Sequence, residues 1–385
     1  MTQPARPTVL HIITGLGTGG AERMLAQIVS RGDRFVHEVI VLADRGPVGA
    51  QLAAEGHRVT AIGAATRLNG ILAIPRVWRE VRRRAPDAVQ SWLVHANLVS
   101  AVVTPRRVKL LWSVRHSLDG FHRENRLTRF AVALGAKLAR RPQSIIYNSG
   151  VAADHHEAIG YPRDRRMVIP NGFALVADDV VAESRTSTRA ALGVGDRDVL
   201  VGMVGRVHPI KNHEGFLEAC TMLAGNFPAM RIVLIGKGTE PEGALAQKYS
   251  HRLDGKVLWL GERSDVLALT SALDIACNTS YGEAFSNVVG EAMSYGVPCV
   301  VTDVGESAAL LGESGWVVPS PDPKDIELSL QQALSMSPGG RRQLGALARQ
   351  RIAKHFSIEA IVRQYEDHYA SLFVQSAKSN ILNWL

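Results

Sequence analysis

Cysteine is scarce in this chain: Cys220, Cys277 and Cys299 are the only three among 385 residues. An odd count, with no C-x-x-C pair and no histidine partners at metal-ligand spacing, excludes a disulfide framework and a zinc ribbon, and marks all three as reduced core residues. No run of about 18 apolar residues occurs, so no membrane-spanning helix is expected. The opening MTQPARPTVL lacks a charged region followed by an apolar stretch, which argues against a signal peptide and for a cytoplasmic protein. Metal-binding clusters of carboxylates and histidines are missing too. The D-x-D at Asp196-Arg197-Asp198 lies in a polar stretch before an apolar run and reads as surface, so neither a metal nor a cofactor is expected.

Apolar and basic residues are plentiful by contrast. At about 150 residues per domain the length suggests two domains, and a hydrophobic fraction of 46% suffices for two cores. Formal charge is +8, divided as +11 over residues 1–180 and −3 over the remainder. The first half should therefore meet something anionic. Recognition-helix, zinc-finger and RNA-binding signatures are lacking, so nucleic acid is not expected, and an anionic membrane surface or a lipid pyrophosphate fits the charge. Ile74, Val77, Trp78 and Val81 form an apolar stripe flanked by Arg76, Arg79, Arg82, Arg83 and Arg84. Such a helix can lie on anionic lipid or simply pack on its own sheet with arginines in water. The clusters at Arg106, Arg107 and Lys109, and at Arg140 and Arg141, favour peripheral attachment at the inner face of the plasma membrane.

Short apolar runs alternate with amphipathic stretches through both halves, from TVLHIIT and HEVIVLAD to DVLVGMVGRV and VPCVVTD. Continuous apolar strands joined by helices imply an α/β chain with parallel sheets covered on both faces. The charged, weakly periodic stretch FALVADDVVAESRTSTRAALGVGDRD separates the halves. Its composition puts the boundary near 185, dividing the chain into 1–185, 186–357 and two terminal helices over 358–385.

Glu283 and Glu291 stand eight apart in YGEAFSNVVGEAMSYGVPCVV, which reads as loop, helix, strand. Glu283 should precede the helix. The amides of Phe285, Ser286, Asn287 and Val288 then lack intrahelical partners and, with the helix dipole, suit a diphosphate. Glu291 falls about two turns along, on roughly the same side. One carboxylate can address a sugar and the other ribose hydroxyls.

The stretch from Glu283 through EAMSYGVPCVVTDVGE resembles the E-x7-E signature of the retaining family 4 glycosyltransferases. That resemblance implies a GT-B fold: two Rossmann-like, doubly wound parallel-sheet domains facing a cleft, with C-terminal helices returning to the first domain. In GLGTGGAER, Gly15, Gly17 and Gly20 satisfy G-x-G-x-x-G with Asp44 ending the next strand, which alone would suit NAD. The loop also resembles the family's glycine-rich loop, with Gly17, Gly19 and Gly20 toward donor phosphates or acceptor. VGRVHPIKN resembles the family element that places Arg206 and Lys211 on a diphosphate, where two cations stabilise the departing charge. His116, in SVRHS, matches a histidine that faces the donor sugar in the family, and Arg115 beside it is a candidate for an acceptor phosphate. Gly236, Lys237, Gly261 and Arg263 resemble the turns around the nucleotide base.

The resemblance implies a retaining glycosyltransferase that moves a hexose or N-acetylhexosamine from a nucleotide-diphosphate sugar, UDP favoured over GDP by family frequency. The acceptor would be a glycan or a polyprenyl or other lipid-linked molecule, in polysaccharide or glycolipid synthesis. No nucleophile is evident, so a front-face route is expected. The alternatives are a nucleotide-sugar 2-epimerase on the same fold, an NAD-dependent dehydrogenase built on the glycine loop, and a non-catalytic carbohydrate-binding protein.

Overall fold

The structure, a computed structural model, describes residues 6–64, 67–119 and 126–382, with side chains for all of these except 67–72 and 374–382. The chain forms two compact units, Met1–Gly172 with Ile358–Leu385, and Phe173–Ser357. Each is built on one all-parallel sheet.

In the first unit the strands are β1 (Thr8–Ile13), β2 (Val36–Val41), β3 (Arg58–Ala61), β4 (Ala88–Trp92), β5 (Lys109–Val114), β6 (Ser144–Tyr147) and β7 (Arg166–Val168). Their spatial order is β3-β2-β1-β4-β5-β6-β7, so the winding reverses between β1 and β4. Both faces are covered, which is why β4 and β6 are buried along their whole length and read as continuous rather than alternating runs. One face packs against helix Gly20–Arg31 and the terminal helix Ile358–Leu382, through Leu25, Ile28, Ile361, Tyr365 and Tyr369.

The second unit contains β8 (Val199–Val204), β9 (Met230–Ile235), β10 (Val257–Trp259), β11 (Ile275–Asn278), β12 (Cys299–Thr302) and β13 (Gly315–Val318). Their order is β10-β9-β8-β11-β12-β13, with the reversal between β8 and β11. Cys220, Cys277 and Cys299 are free and buried in this unit, and burial pushes all three thiols up.

Two expectations about organisation change. The boundary lies at Gly172/Phe173 rather than near 185, and position 185 falls inside helix Asp178–Ala191. Packing decides this: Phe173 stacks on Phe285 at 6.1 Å, and a Cβ on Gly290 would lie 2.0 Å from the Phe173 ring. Arg185 and Arg189 both pair with Asp274, at 2.5 and 2.9 Å, clasping that helix to the second unit. Composition marked the stretch as polar, but it could not register two guanidinium groups finding one carboxylate. The chain does return at 358, as a single helix Ile358–Leu382 instead of two, with 383–385 outside the described residues. Among the described residues no helix is long and apolar enough to cross a membrane.

Candidate active site

The motif residues of the second unit gather where ligands favour an open parallel sheet, beyond the carboxyl ends of the strands at the reversal. Arg206 and Lys211 follow β8; Glu283 follows β11, its neighbour. Backbone hydrogen bonding stitches the two loops together, since Tyr281 N–H donates to Ile210 O at 2.7 Å and Thr279 Oγ1 to Asn212 O at 3.3 Å. Asn212 sits in the left-handed region at φ 56° and caps helix His213–Leu223 by accepting from Gly215 N–H. That turn aims Lys211 back over β11.

Glu283 is held at one oxygen. Oε1 accepts from Lys211 Nζ at 2.5 Å, Ser280 Oγ at 2.8 Å and Asn278 Nδ2 at 3.4 Å. Asn278 is itself fixed: Nδ2 also donates to Ser286 Oγ, and Oδ1 accepts from Ser280 Oγ. No donor of the described residues reaches Oε2, which stays available to an outside hydroxyl. The glutamate backbone is braced from β12, because Gly305, at φ 56°, would place a Cβ 2.0 Å from Glu283 O, and Glu306 N–H donates to Ala284 O. Only glycine fits there.

Helix Asn287–Ser294 starts four residues after Glu283. Helical periodicity therefore does not relate the two glutamates; the hydrogen bonds and the Gly305 contact position Glu283 instead. The first bond of the helix ladder runs from Gly290 N–H to Ser286 O, so the preceding amides, Val288 included, have no acceptor within the helix. Phe285 is buried against Phe173 and Phe356, leaving its backbone as the part able to meet a ligand. Glu291 is half-buried in the second turn and, after burial itself, helps raise the Tyr295 phenol.

Three turns beside this site lock together. Val207 N–H donates to Lys237 O, Gly236 N–H to Gly261 O, and Gly261 N–H to Thr239 O, at 2.7, 2.7 and 3.1 Å. Gly236 has φ 140°, and a Cβ there would lie 2.3 Å from Gly205 O. Lys237 is exposed, whereas the Arg263 guanidinium is bound at both ends by Asp265. Arg206 is exposed and has no ion-pair partner among the described residues. His213, which sequence reasoning passed over, hydrogen-bonds Gly205 O through Nε2, and burial lowers its pKa to about 4. Asn278 and Ser280 were also missed, although the polar run NTS directly after apolar DIAC was the available signal. In the D-x-D, Asp198 Oδ2 accepts Gly195 N–H and so closes its own loop.

The first unit places its motif residues at two strand ends. Gly17, Gly19 and Gly20 follow β1, with Gly19 and Gly20 opening helix Gly20–Arg31. A Cβ on Gly15 or Gly17 would meet nothing within 4 Å, so the protein's own packing does not require glycine at either position. Gly46, at φ 64°, does require it: a Cβ would stand 2.2 Å from Leu16 O, which props the loop from beneath. His116 follows β5, edge-on to His156 at 5.1 Å, with Nε2 enclosed and without a partner. Burial lowers its pKa to about 4, so the ring is neutral near pH 7. Arg115 turns inward. Its guanidinium lies 4.7 Å over the Trp92 ring and donates to Asn171 Oδ1 and Tyr365 OH, tying β5 to the terminal helix.

The chain as a whole is similar to known proteins. Residues 18–175 match the model described as Glycosyltransferase Family 4, and residues 198–336 match Glycosyl transferases group 1. The D-inositol 3-phosphate glycosyltransferase of Geodermatophilus obscurus is 31% identical over 229 residues, 55% of this chain and 49% of that one, so the chain spans about half the length of this relative. Putative glycosyltransferase EpsF of Bacillus subtilis is 23% identical over 77% of this chain and 79% of its own. Anabaena Alr3699/HepE in complex with UDP superposes with a TM-score of 0.81 over 94% of this chain and 100% of its own, at 22% identity; its complex with UDP-glucose gives 0.79.

Proposed function

The chain belongs to the family 4 glycosyltransferases and has the GT-B fold, and on that premise we propose that it transfers a hexose or N-acetylhexosamine from a UDP-sugar to a glycan or lipid-linked acceptor. The observation that carries this reading is the half-occupied Glu283 carboxylate, gripped at Oε1 and open at Oε2, just ahead of the amides that start helix Asn287–Ser294. UDP is preferred because a structural relative was determined with UDP and with UDP-glucose.

In this reading the helix amides and Arg206 take the diphosphate, Lys211 adds charge while orienting Glu283, and Glu291 takes ribose hydroxyls. Glu283 Oε2 grips sugar hydroxyls. The bond from the anomeric carbon to the phosphate oxygen breaks while a bond to the acceptor oxygen forms on the same face, and the acceptor proton passes to the leaving phosphate. Positioning and electrostatics carry the acceleration. His116 enters as a neutral hydrogen-bonding group, not as an acid, because burial keeps it unprotonated. No metal takes part, and the enzyme works in the cytoplasm, peripherally on the inner membrane face. The open glycine loop and the basic first unit serve the acceptor.

Screening UDP- and GDP-sugars by thermal shift tests the donor, since a ligand stabilises by mass action. UDP and one UDP-sugar should raise the melting temperature with EDTA present, and an acceptor assay should then give an anomer of unchanged configuration. Stabilisation by NAD(H) alone, or conversion of the UDP-sugar to its 2-epimer without acceptor, would replace the proposal.

A further inference from the structure

The first unit holds a second concavity at its own strand reversal. It has a volume of about 550 Å³ and is bounded by Ala43 after β2, by Ile74 and Val77, by Leu98 and Val99 of helix Val94–Val103, and by Phe130 of helix Arg126–Leu138. Its lining is almost wholly hydrocarbon. Phe130 and Leu127, which line it, and Trp78, one residue beyond Val77, are 66, 47 and 43% exposed, so apolar surface continues outward from the opening. Patches of that kind on a soluble fold mark interaction sites.

Two observations identify the occupant. Helix Arg67–Arg84, which carries Ile74, Val77 and Trp78, bears exposed Arg76 and Arg79, and helix Arg126–Leu138 bears exposed Arg126 and Arg129, none of which has an acidic partner among the described residues. Thr14, which follows β1 at the root of the glycine loop, also lines the cavity, and its Oγ1 is enclosed without a hydrogen-bond partner. Hydrocarbon walls, a basic surround and one unsatisfied hydroxyl suit a hydrocarbon chain that ends in phosphate. At interior packing density the volume takes roughly 15–20 carbons.

We propose that this cavity binds the hydrocarbon tail of a phosphate- or diphosphate-linked acceptor, with its anionic end among these arginines. The inference rests on the transferase reading and gives its acceptor a chemical class: polyprenyl or similarly long-chain phosphates, in preference to free glycans. Apolar burial supplies affinity in proportion to tail length, while the charge orients the molecule.

The test uses the full chain without any donor, titrating geranylgeranyl phosphate, isopentenyl phosphate and inorganic phosphate below their aggregation limits. The long chain should bind on the order of 100-fold more tightly than the short one. Val99→Phe and Ala43→Leu each fill part of the cavity and should weaken the long probe about 10-fold or more while leaving UDP affinity unchanged. Val102→Phe, exposed on the same helix and outside the lining, should have no effect. Equal affinity for long and short probes, or full affinity in both filled variants, would overturn the proposal. It also falls if the filled variants lose only recruitment to phosphatidylglycerol vesicles, or only self-association, with no binding of monomeric probe to the parent chain. Because no sugar is transferred, tail binding by a chain that proves inactive would sink the transferase reading alone.

Discussion

Glu283→Gln perturbs the proposed donor site at its most connected atom. The amide keeps the volume and can offer its oxygen to Ser280 and Asn278, but it removes the charge facing Lys211 Nζ at 2.5 Å. A hydrogen bond to a charged group contributes about 1.5–3 kcal/mol, and water returns part of that to a partly exposed ammonium. With the Lys211 side chain 27% exposed and Glu283 12%, the chain should lose about 1–2 kcal/mol of stability. The effect on ligands should be larger and selective. UDP has no sugar for Oε2 to hold, so its affinity should stay within about threefold, whereas losing one charge-assisted bond to the UDP-sugar corresponds to about 10–100-fold. Calorimetric titration of both ligands gives the two numbers. Lys211→Met, alone and combined with Glu283→Gln, completes a thermal-unfolding cycle whose coupling should exceed about 0.5 kcal/mol. Equal weakening of UDP and the UDP-sugar, or additive effects on stability, would refute this assignment.

Gly305→Ala forces a side chain into the left-handed region and against Glu283 O, so we expect a loss of about 1–3 kcal/mol. Donor-sugar affinity should fall with UDP affinity retained; an unaltered sugar affinity would show that β12 does not position Glu283. The chain should also lose stability in mild acid. His37, His116 and His156 have pKa values lowered to about 4, 4 and 3, chiefly by burial. Each is protonated more readily unfolded, near 6.5, than folded, so its contribution is complete above about pH 6.5 and is lost as pH falls toward the folded values. From pH 7 to 5 that amounts to at most about 2 kcal/mol per site. In the buried chain, Trp92 Nε1 donates to His11 Nδ1, so His11 Nε2 carries the proton toward His37 Nδ1, and neither ring can take up another without breaking the chain. A melting temperature flat between pH 7 and 5 would contradict this.

Much of the fold was legible because it depends on local pattern. Continuous apolar runs joined by amphipathic stretches specify buried parallel strands and their crossovers wherever they occur. Glycines at strand ends marked the turns, and the run from Glu283 to the TDVGE segment marked the loop to which we assign the donor. The residues that hold that loop were not legible, since Gly305, Asn278 and Ser280 act through contacts that sequence spacing does not encode. Arg115 shows the same limit: beside a strand end it reads as a ligand group, but only packing against Trp92 and Tyr365 reveals an interior tie.

By itself the sequence determined the class of fold, the two sheets and the positions of the acidic and basic groups, because periodicity and strand-end chemistry are properties of neighbouring residues. Tertiary structure alone decided where one unit stops, which oxygen of Glu283 is free, and that an apolar cavity opens beside β1 and β2. Each of these depends on side chains brought together from distant parts of the chain, and the free energy of such meetings is set by distance and burial in space.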